Sequence, residues 1–406
     1  MKPEELEEQK HDAAVEPGSC AEAEETVPVP EISVKPSGKY SEEELFMASQ
    51  WKLMWIKFKR HKLARVSVIV LLLLYLGAVF AEFFSPFDYQ KRHNLHIYCS
   101  PCRIHFVGED GRFHLLPFIY GVKQTVDPVT YKKVYVEQKD RVYSLRFFVK
   151  GEPYKMWGLW TMDVHAFGFR AADGSLGPAY LIGADRLGRD LLSRVVNGSR
   201  LSLTIGLVGM VISFVIGLIL GGLSGYLGGW VDNLIQRIIE VIKSFPSIPL
   251  WMSLSAAIPA RWDPLLVYFC ITIILSFIGW TGLARTVRSK FLALREEDFT
   301  MAAEVMGAGD MMIIRRHLVP GFLSYIIVSL SSSIPGMILG ETSLSFLGIG
   351  LKDPLASWGV LLKDAQNVSE LLLHPWIVTP VFWVIVVVLA FNFLGDGLRD
   401  AADPYK

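Results

Sequence analysis

The stretch Asp298–Pro320, which reads DFTMAAEVMGAGDMMIIRRHLVP, lies between two strongly apolar runs of the chain. Two short helices joined at a glycine are predicted from its small and apolar residues, which are Ala302, Ala303, Gly307, Ile313 and the Leu318-Val319-Pro320 end. The segment is too polar to span a bilayer, yet both of its ends run into segments that are apolar enough to do so. This arrangement indicates a lever at a membrane surface and not a catalytic pocket.

The charge of the chain is zero overall but unevenly distributed. Residues 1–45 carry 13 acidic and 4 basic residues, a net charge of −9, so the rest of the 406-residue chain carries +9. Much of that positive surplus lies at the ends of apolar runs, which is the pattern of membrane topology. It therefore does not indicate a nucleic-acid-binding surface.

The N-terminal region divides into two predicted parts. Residues 1–40 are rich in Glu and poor in large apolar residues, which predicts a disordered acidic tail and no signal peptide. Residues 41–65 open with a capping-box pair, Ser41 and Glu44, and end in a basic run. They predict an amphipathic helix at the cytoplasmic interface that leads into the first span.

Six membrane spans are predicted, since about 20 apolar residues cross the hydrocarbon layer. They are residues 66–84, 201–223, 233–257, 265–283, 322–346 and 376–394. The third is the weakest, because it contains charged residues and is broken by Pro246 and Pro249. Six spans place both termini on one side, and the basic residues at Lys57–Arg65 and Arg285–Arg316 identify that side as the cytoplasm. The core is then residues 201–397, with a cytoplasmic loop at 286–320 and a cytoplasmic C-terminus at 398–406.

The same count places residues 85–200 outside the membrane. Short alternating runs at Ile104, Tyr131 and Val142, set among turn residues, predict a small β-containing insert between the first two helices. A second outer loop is predicted at residues 348–375.

A ridge of small residues every fourth position, Ser213, Gly217 and Gly221, favours a close helix–helix seam. Ordinary glycine abundance in membrane helices is the alternative, and Gly225 and Gly229 are predicted to form the cytoplasmic turn. Arg237 and Glu240, three residues apart, either line an inner part of a transport path or form a structural ion pair. The charges at Asp185, Arg186, Arg189, Asp190 and Arg194 favour ion pairs that fix a loop over acid–base chemistry.

The insert contains His96, Cys99, Cys102 and His105 at regular three-residue spacing, which in principle could bind zinc. The spacing is not that of a standard finger, and an oxidising compartment favours a disulfide or inert thiols. No resident metal or cofactor is therefore predicted.

Three separated stretches resemble one family. They are LIGADRLGRDLLSRVVNGSRLSL at 181–203, the 298–320 segment, and SLSFLGIGL at 343–351 with SWGVLL at 357–362 and FNFLGDGLRDAADP at 391–404. The chain resembles the inner-membrane permease subunits of binding-protein-dependent ABC importers of the dipeptide/oligopeptide group. The 298–320 segment is similar to the family's EAA loop, although Met301 stands where that name has Glu. The outer insert is longer than in many relatives.

The resemblance implies an all-α polytopic membrane protein with the six helices of the type I permease fold, in the bacterial inner membrane. It implies that the 298–320 segment docks on an ATPase through Ala302, Ala303, Gly307, Ala308, Ile313, His317, Leu318 and Pro320. The implied partners are a second permease, two ATPase subunits that bind ATP and Mg, and an extracytoplasmic substrate-binding protein.

The chain contains no G-x-x-x-x-G-K-[ST] phosphate loop, so it is expected to be a non-catalytic subunit that relies on those ATPases. Peptides are the expected cargo. An oligosaccharide importer of the same group and a self-contained channel or ion-coupled carrier are the alternatives.

Overall fold

The computed structural model describes residues 50–402 except 109–110, 127, 129–130, 132, 178 and 260. The predicted acidic tail, the first part of the predicted interfacial helix and residues 403–406 lie outside the described residues.

The described chain begins with three helices, α1 Gln50–Arg60, α2 Lys62–Val79 and α3 Ala81–Phe84. Lys57, Lys59 and Arg60 form the last turn of α1. His61 separates α1 from α2, and its Nδ1 accepts a hydrogen bond from the Ala64 amide at 3.1 Å. The first long apolar helix therefore begins as a capped element directly after the basic run.

The insert contains a four-stranded antiparallel sheet in the order β1-β2-β3-β4. The strands are β1 His105–Val107, β2 Phe113–Val126, β3 Lys133–Met156 and β4 Trp160–Arg170. Ile119, Tyr143 and Phe169 are buried in one cluster on the face of the sheet. The predicted β-containing insert is confirmed.

The rest of the fold is helical. The long helices are α4 Leu191–Leu227, α5 Gly229–Ser244, α6 Ser247–Ala256, α7 Pro264–Arg295, α10 Leu323–Phe346 and α13 Thr379–Ala402. The short helices are α8 Asp298–Val305, α9 Asp310–Ile313, α11 Trp358–Leu362 and α12 Val368–Leu373. Within the described residues, five helical segments are long and apolar enough to cross a membrane: Lys62–Val79, Leu191–Leu227, Pro264–Arg295, Leu323–Phe346 and Pro375–Ala402.

The third predicted span, which was expected to be broken by prolines, is divided into two helices. α5 stops before Phe245, whose extended backbone (φ −89°, ψ 137°) is what a following proline imposes. α6 begins after Pro246. Neither piece alone reaches the roughly 20 residues of a continuous span.

Contacts within the bundle show that α5 and α6 together still cross it from one end to the other. Near its start α5 is tied to α7 by Asp232 and Arg288, at 2.5 Å. In α6, Trp251 lies beside Gly340, next to the buried Glu341 of α10. Since Tyr268 near the start of α7 contacts Thr204 near the start of α4, α5 and α6 together carry the chain from one end of the bundle to the other.

Different segments of the chain lie at the two ends of the bundle. At one end, called the elbow end, His61 Nε2 lies 3.8 Å from Asp400 Oδ2, and Ser324 Oγ lies 3.2 Å from Met54 Sδ. The described chain therefore starts and finishes together, beside the 298–320 segment. At the other end, called the insert end, Asn197 donates to Ser85 Oγ at 2.7 Å. This placement agrees with six passages through the bundle.

The small-residue seam is confirmed and is longer than predicted. A Cβ at Gly217 would lie 3.0 Å from Leu283, and one at Gly221 would lie 2.5 Å from the Ala284 carbonyl, so α4 and α7 pack backbone against backbone. Gly225 belongs to the same seam, where a Cβ would lie 2.7 Å from the Arg288 carbonyl. Its predicted place in the turn is wrong, because α4 runs on to Leu227 and the turn falls at Gly228 and Gly229.

Candidate functional site

The 298–320 segment, called the elbow, consists of two short helical arms joined at Gly307. Gly307 has a φ of +82° and follows the last turn of α8. Its amide donates to the Glu304 carbonyl at 2.9 Å, and the Ala308 amide donates to the Ala303 carbonyl at 3.0 Å. This is the Schellman arrangement, which requires a left-handed residue at the position that Gly307 occupies. The predicted pair of helices joined at a glycine is present.

Apolar contacts hold the elbow against the bundle. Ala303, Ile313 and Leu318 are at most 2% exposed and belong to one cluster with Val287 and Phe291 of α7. The Phe291 and Phe322 rings lie 5.6 Å apart, centre to centre, and link α7 to the start of α10. Both arms are therefore attached by side-chain packing to long helices.

Two polar contacts supplement this packing. Thr300 Oγ1 donates to the Leu294 carbonyl at 2.7 Å, and Tyr226 Oη donates to Asp310 Oδ1 at 2.8 Å. A hydrogen bond fixes direction as well as distance, so these two contacts set the angle of each arm. The second arm continues from α9 through one π-helical turn, Ile314–Leu318.

The eight predicted contact residues divide between two faces. Three face the bundle (Ala303, Ile313 and Leu318), two are half-buried (Ala308 and His317), and three are exposed (Ala302, Gly307 and Pro320). Successive residues of a helix point about 100° apart, so Ala303 can face the bundle while its neighbour Ala302 is exposed.

Sequence reasoning missed the apolar tip of the elbow. The exposed fractions are 47% for Met301, 88% for Val305, 81% for Met306, 65% for Met311 and 54% for Met312. Methionine adapts its shape to a partner surface, and exposed apolar residues gathered in one place mark interaction sites. The available signal was four methionines within 12 residues of an otherwise polar segment.

The insert end is held by a buried ion-pair network. Asp185 Oδ2 accepts a hydrogen bond from Arg189 Nε at 2.7 Å and also pairs with Arg194, and all three side chains are only 3–4% exposed. Both arginines continue to Asp353 Oδ1, at 3.0 Å from Arg189 and 2.8 Å from Arg194. The predicted ion pairs that fix a loop are confirmed for these residues. They join the segment before α4 to the loop after α10.

Charge and burial act against each other in this network. Burial raises the pKa of Asp353, but Arg194, Arg189 and Arg186 more than offset it, so its pKa lies below the ordinary value. Asp190 takes no part in these ion pairs. It caps α4 by accepting the Ser193 amide at 2.8 Å, and burial raises its pKa to about 6. Arg186 lies at the rim, where it pairs with Asp364 at 3.0 Å.

A second buried group, Glu341, was also missed. It lies in α10, is fully buried, and accepts hydrogen bonds from Ser345 Oγ at 2.8 Å and Ser357 Oγ at 2.7 Å. Ser202 Oγ of α4 lies 3.3 Å away. The carboxylate thus ties α4, α10 and the start of α11 together. An acid inside an apolar run was the available signal, since such residues face the protein interior.

Arg237 and Glu240 form an ion pair at 2.8 Å on α5, with side chains 81% and 49% exposed. Ile235, Ile239 and Ile242 occupy the opposite face of the helix and are buried. The pair therefore points away from this chain's own bundle, towards whatever surrounds that face.

The four predicted metal candidates are not gathered. Within the described residues no group of three or more His, Cys, Asp or Glu side chains could hold a metal ion. His105 lies 3.5 Å from Glu137, whereas the His96 ring packs on Tyr180. Burial raises the pKa of Cys102 to about 11, and it also raises the pKa of Cys99.

Comparison with known families gives two matches. Residues 213–405 match the model of binding-protein-dependent transport system inner membrane components. Residues 49–101 match the N-terminal transmembrane domain of oligopeptide transport permease C. Together they leave residues 102–212 uncovered, which contain the whole sheet and the first part of α4.

Individual relatives agree. The oligopeptide transport system permease protein OppC of Haemophilus influenzae is 41% identical over 226 residues, which are 55% of this chain and 70% of that protein. OppC of Bacillus subtilis is 28% identical over 357 residues, 88% of this chain and 90% of that protein. Among solved structures, an inward-facing MetNI methionine ABC transporter chain gives a TM-score of 0.42 at 20% identity, covering 51% of this chain and 96% of that one.

Proposed function

Because the chain belongs to the family of binding-protein-dependent transport system inner membrane components, we propose that it is a permease subunit of an ATP-driven importer of di- or oligopeptides. The observation that carries the proposal is the 40–41% identity to oligopeptide permease proteins over 70–76% of their length. A second permease would complete the path, which would run between the two subunits.

The elbow is the proposed point of contact with the ATPases. Its methionine-rich tip is exposed, whereas its roots are packed on α7 and α10, so a push on the tip would be passed to two spans at once. Closure of two ATPase subunits would then rotate those spans, as packed helices move as rigid bodies. ATP and Mg would be bound and hydrolysed by the companions, and this chain would take no catalytic part.

The proposed orientation places the elbow end in the cytoplasm. The last turn of α1 is basic, and Arg315 and Arg316 of the elbow lie at the same end of the bundle. Positive residues are retained on the cytoplasmic side of bacterial membrane proteins. Both termini would then be cytoplasmic, and the insert would face the substrate-binding protein.

Reconstitution tests the proposal. The chain is placed in vesicles with its companion permease and ATPases, and uptake of a labelled tripeptide is measured with the binding protein and ATP present. We expect uptake to require ATP and every companion, and a labelled trisaccharide to stay outside. Uptake by this chain alone without ATP would make it a self-contained carrier or channel, and trisaccharide uptake would assign it to oligosaccharides.

A further inference from the structure

The turn between β3 and β4 and the first residue of β4 form a segment called the aromatic tip, Trp157-Gly158-Leu159-Trp160. Its three side chains are strongly exposed, by 44% for Trp157, 72% for Leu159 and 59% for Trp160. The Trp157 ring lies 5.7 Å from those of Trp160 and Phe80, centre to centre. Phe80 directly follows α2, whose outward face exposes Leu72, Leu73, Leu76 and Val79. The tip therefore extends the apolar face of a membrane span.

The depth of the tip follows from its contact with α2. Trp157 Nε1 donates to the carbonyl of Val79, the last residue of that helix, at 2.7 Å. The 18 residues of α2 are about 27 Å long, close to the roughly 30 Å of hydrocarbon, and the basic turn of α1 lies at the far end.

A polar pair marks the same level. Arg200 and Glu82 lie 2.6 Å apart, and Arg200 also donates to the Val79 carbonyl at 3.0 Å. The indole N–H of Trp157 thus lies at the level where the hydrocarbon ends and polar groups begin.

The backbone of the turn gives a separate indication. Trp157 has a φ of +51° and Gly158 a φ of +75°. Asn or Gly is the usual residue in such a turn, and a bulky residue at positive φ is uncommon. An indole in that position therefore costs backbone energy, and turn geometry gives no reason for it. A membrane–water interface would explain the indole, because a tryptophan ring is stable where its apolar body contacts lipid and its N–H binds a polar partner.

We propose that the aromatic tip inserts into the boundary between headgroups and acyl chains of the leaflet on the insert side. We identify lipid as the partner of the tip because the tip is continuous with the exposed apolar face of α2 and lies at the same membrane depth as the last residue of α2. The contact fastens one end of the sheet to the bilayer beside the first span. This proposal requires only that α2 crosses the membrane, so it stands or falls separately from the identity of the cargo.

Spin labelling of the assembled importer tests this placement. The four native cysteines are replaced, and a nitroxide is attached to Leu159→Cys or to a control, Val136→Cys. Val136 is 51% exposed on the same strand as Met156, and it points away from its neighbour Tyr135, which donates to the Ile97 carbonyl. In vesicles of phosphatidylethanolamine and phosphatidylglycerol, collisions of each label with oxygen and with a water-soluble nickel chelate are compared. We expect an oxygen-to-nickel ratio several-fold higher at 159 than at 136.

Equal ratios at the two sites would overturn the proposal. Shielding of position 159 from both reagents would also overturn it, and would assign the tip to the binding protein if it occurred only with that protein present, or to the companion permease otherwise. A second measurement needs no label. Brominated phospholipids are expected to quench less tryptophan emission after Trp157→Phe with Trp160→Phe than before, and an unchanged quenched fraction would reject lipid contact.

Discussion

The two ends of the bundle are held by different forces. The insert end is closed by buried charges and by Glu341 with its serines, whose hydrogen bonds are directional and cannot slide. The elbow end is held mostly by apolar packing around Phe291 and Leu318. Apolar packing does not depend on direction, so it tolerates small shifts better than a buried ion pair does. The difference fits the proposed function, in which the elbow end would be displaced while the insert end stays fixed.

The largest expected effect is a loss of stability when a buried arginine of the ion-pair network is replaced, compared with an arginine at its exposed rim. Arg194→Met leaves Asp185 buried with one partner fewer, and we expect a loss of about 3–5 kcal/mol in the free energy of unfolding. Arg186→Met is the matched control, because Arg186 also pairs with Asp353 but is 51% exposed, so about 0–1 kcal/mol is expected. Denaturant unfolding in detergent measures both. Similar losses in the two variants would mean that burial does not set the strength of the insert end.

A smaller effect is expected at the elbow joint. Gly307→Pro forces a φ near −65° on a residue at +82° and removes the hydrogen bond that its N–H donates to the Glu304 carbonyl, which costs about 2–3 kcal/mol locally. Gly309→Pro is the control, because Gly309 already has a φ of −71°. The number of peptides taken up per ATP hydrolysed is the measurement. We expect a fall for Gly307→Pro only, and normal uptake in that variant would remove the lever from the mechanism.

The smallest effect on stability is expected between the two ends, at Arg237 and Glu240. Both side chains are largely exposed, so Arg237→Glu should change stability by roughly 0–1 kcal/mol. If the pair lines the path, uptake of charged peptides should still fall, and the double swap Arg237→Glu with Glu240→Arg should restore stability but not uptake. Wild-type uptake in the single variant would leave the pair without a transport role.

Local sequence signals predicted the elements better than their contacts. The elbow and the α4–α7 seam could be predicted because a glycine joint and a repeat of small residues are visible along the chain. Which alanine faces inward, and that Gly225 packs on α7, depend on the rotation of each helix in the bundle. Ser345 lies one helical turn from Glu341, but its other two partners, Ser202 and Ser357, are 139 and 16 positions away, so no local pattern could have predicted those two.

Pro246, between α5 and α6, and Pro249, in the first turn of α6, were visible in the sequence as a break in the third span. A length criterion counts apolar residues across a break as readily as within a helix, so residues 233–257 were predicted as one span. Pro246 instead divides the passage into two helices. Backbone restriction by a proline overrode composition at this point.

That division has a geometric consequence. In an uninterrupted helix, one inserted or deleted residue turns every later side chain by about 100° around the axis. The extended residue Phe245 separates α5 from α6, so a rotation of the side chains in one helix is not passed on to the other. The contacts of Asp232 in α5 and of Trp251 in α6 are therefore set independently. A residue inserted into or deleted from α5 would therefore not change which side chains of α6 face the bundle, and the reverse also holds. In the uninterrupted helices α4 and α7, such a change would rotate every later side chain.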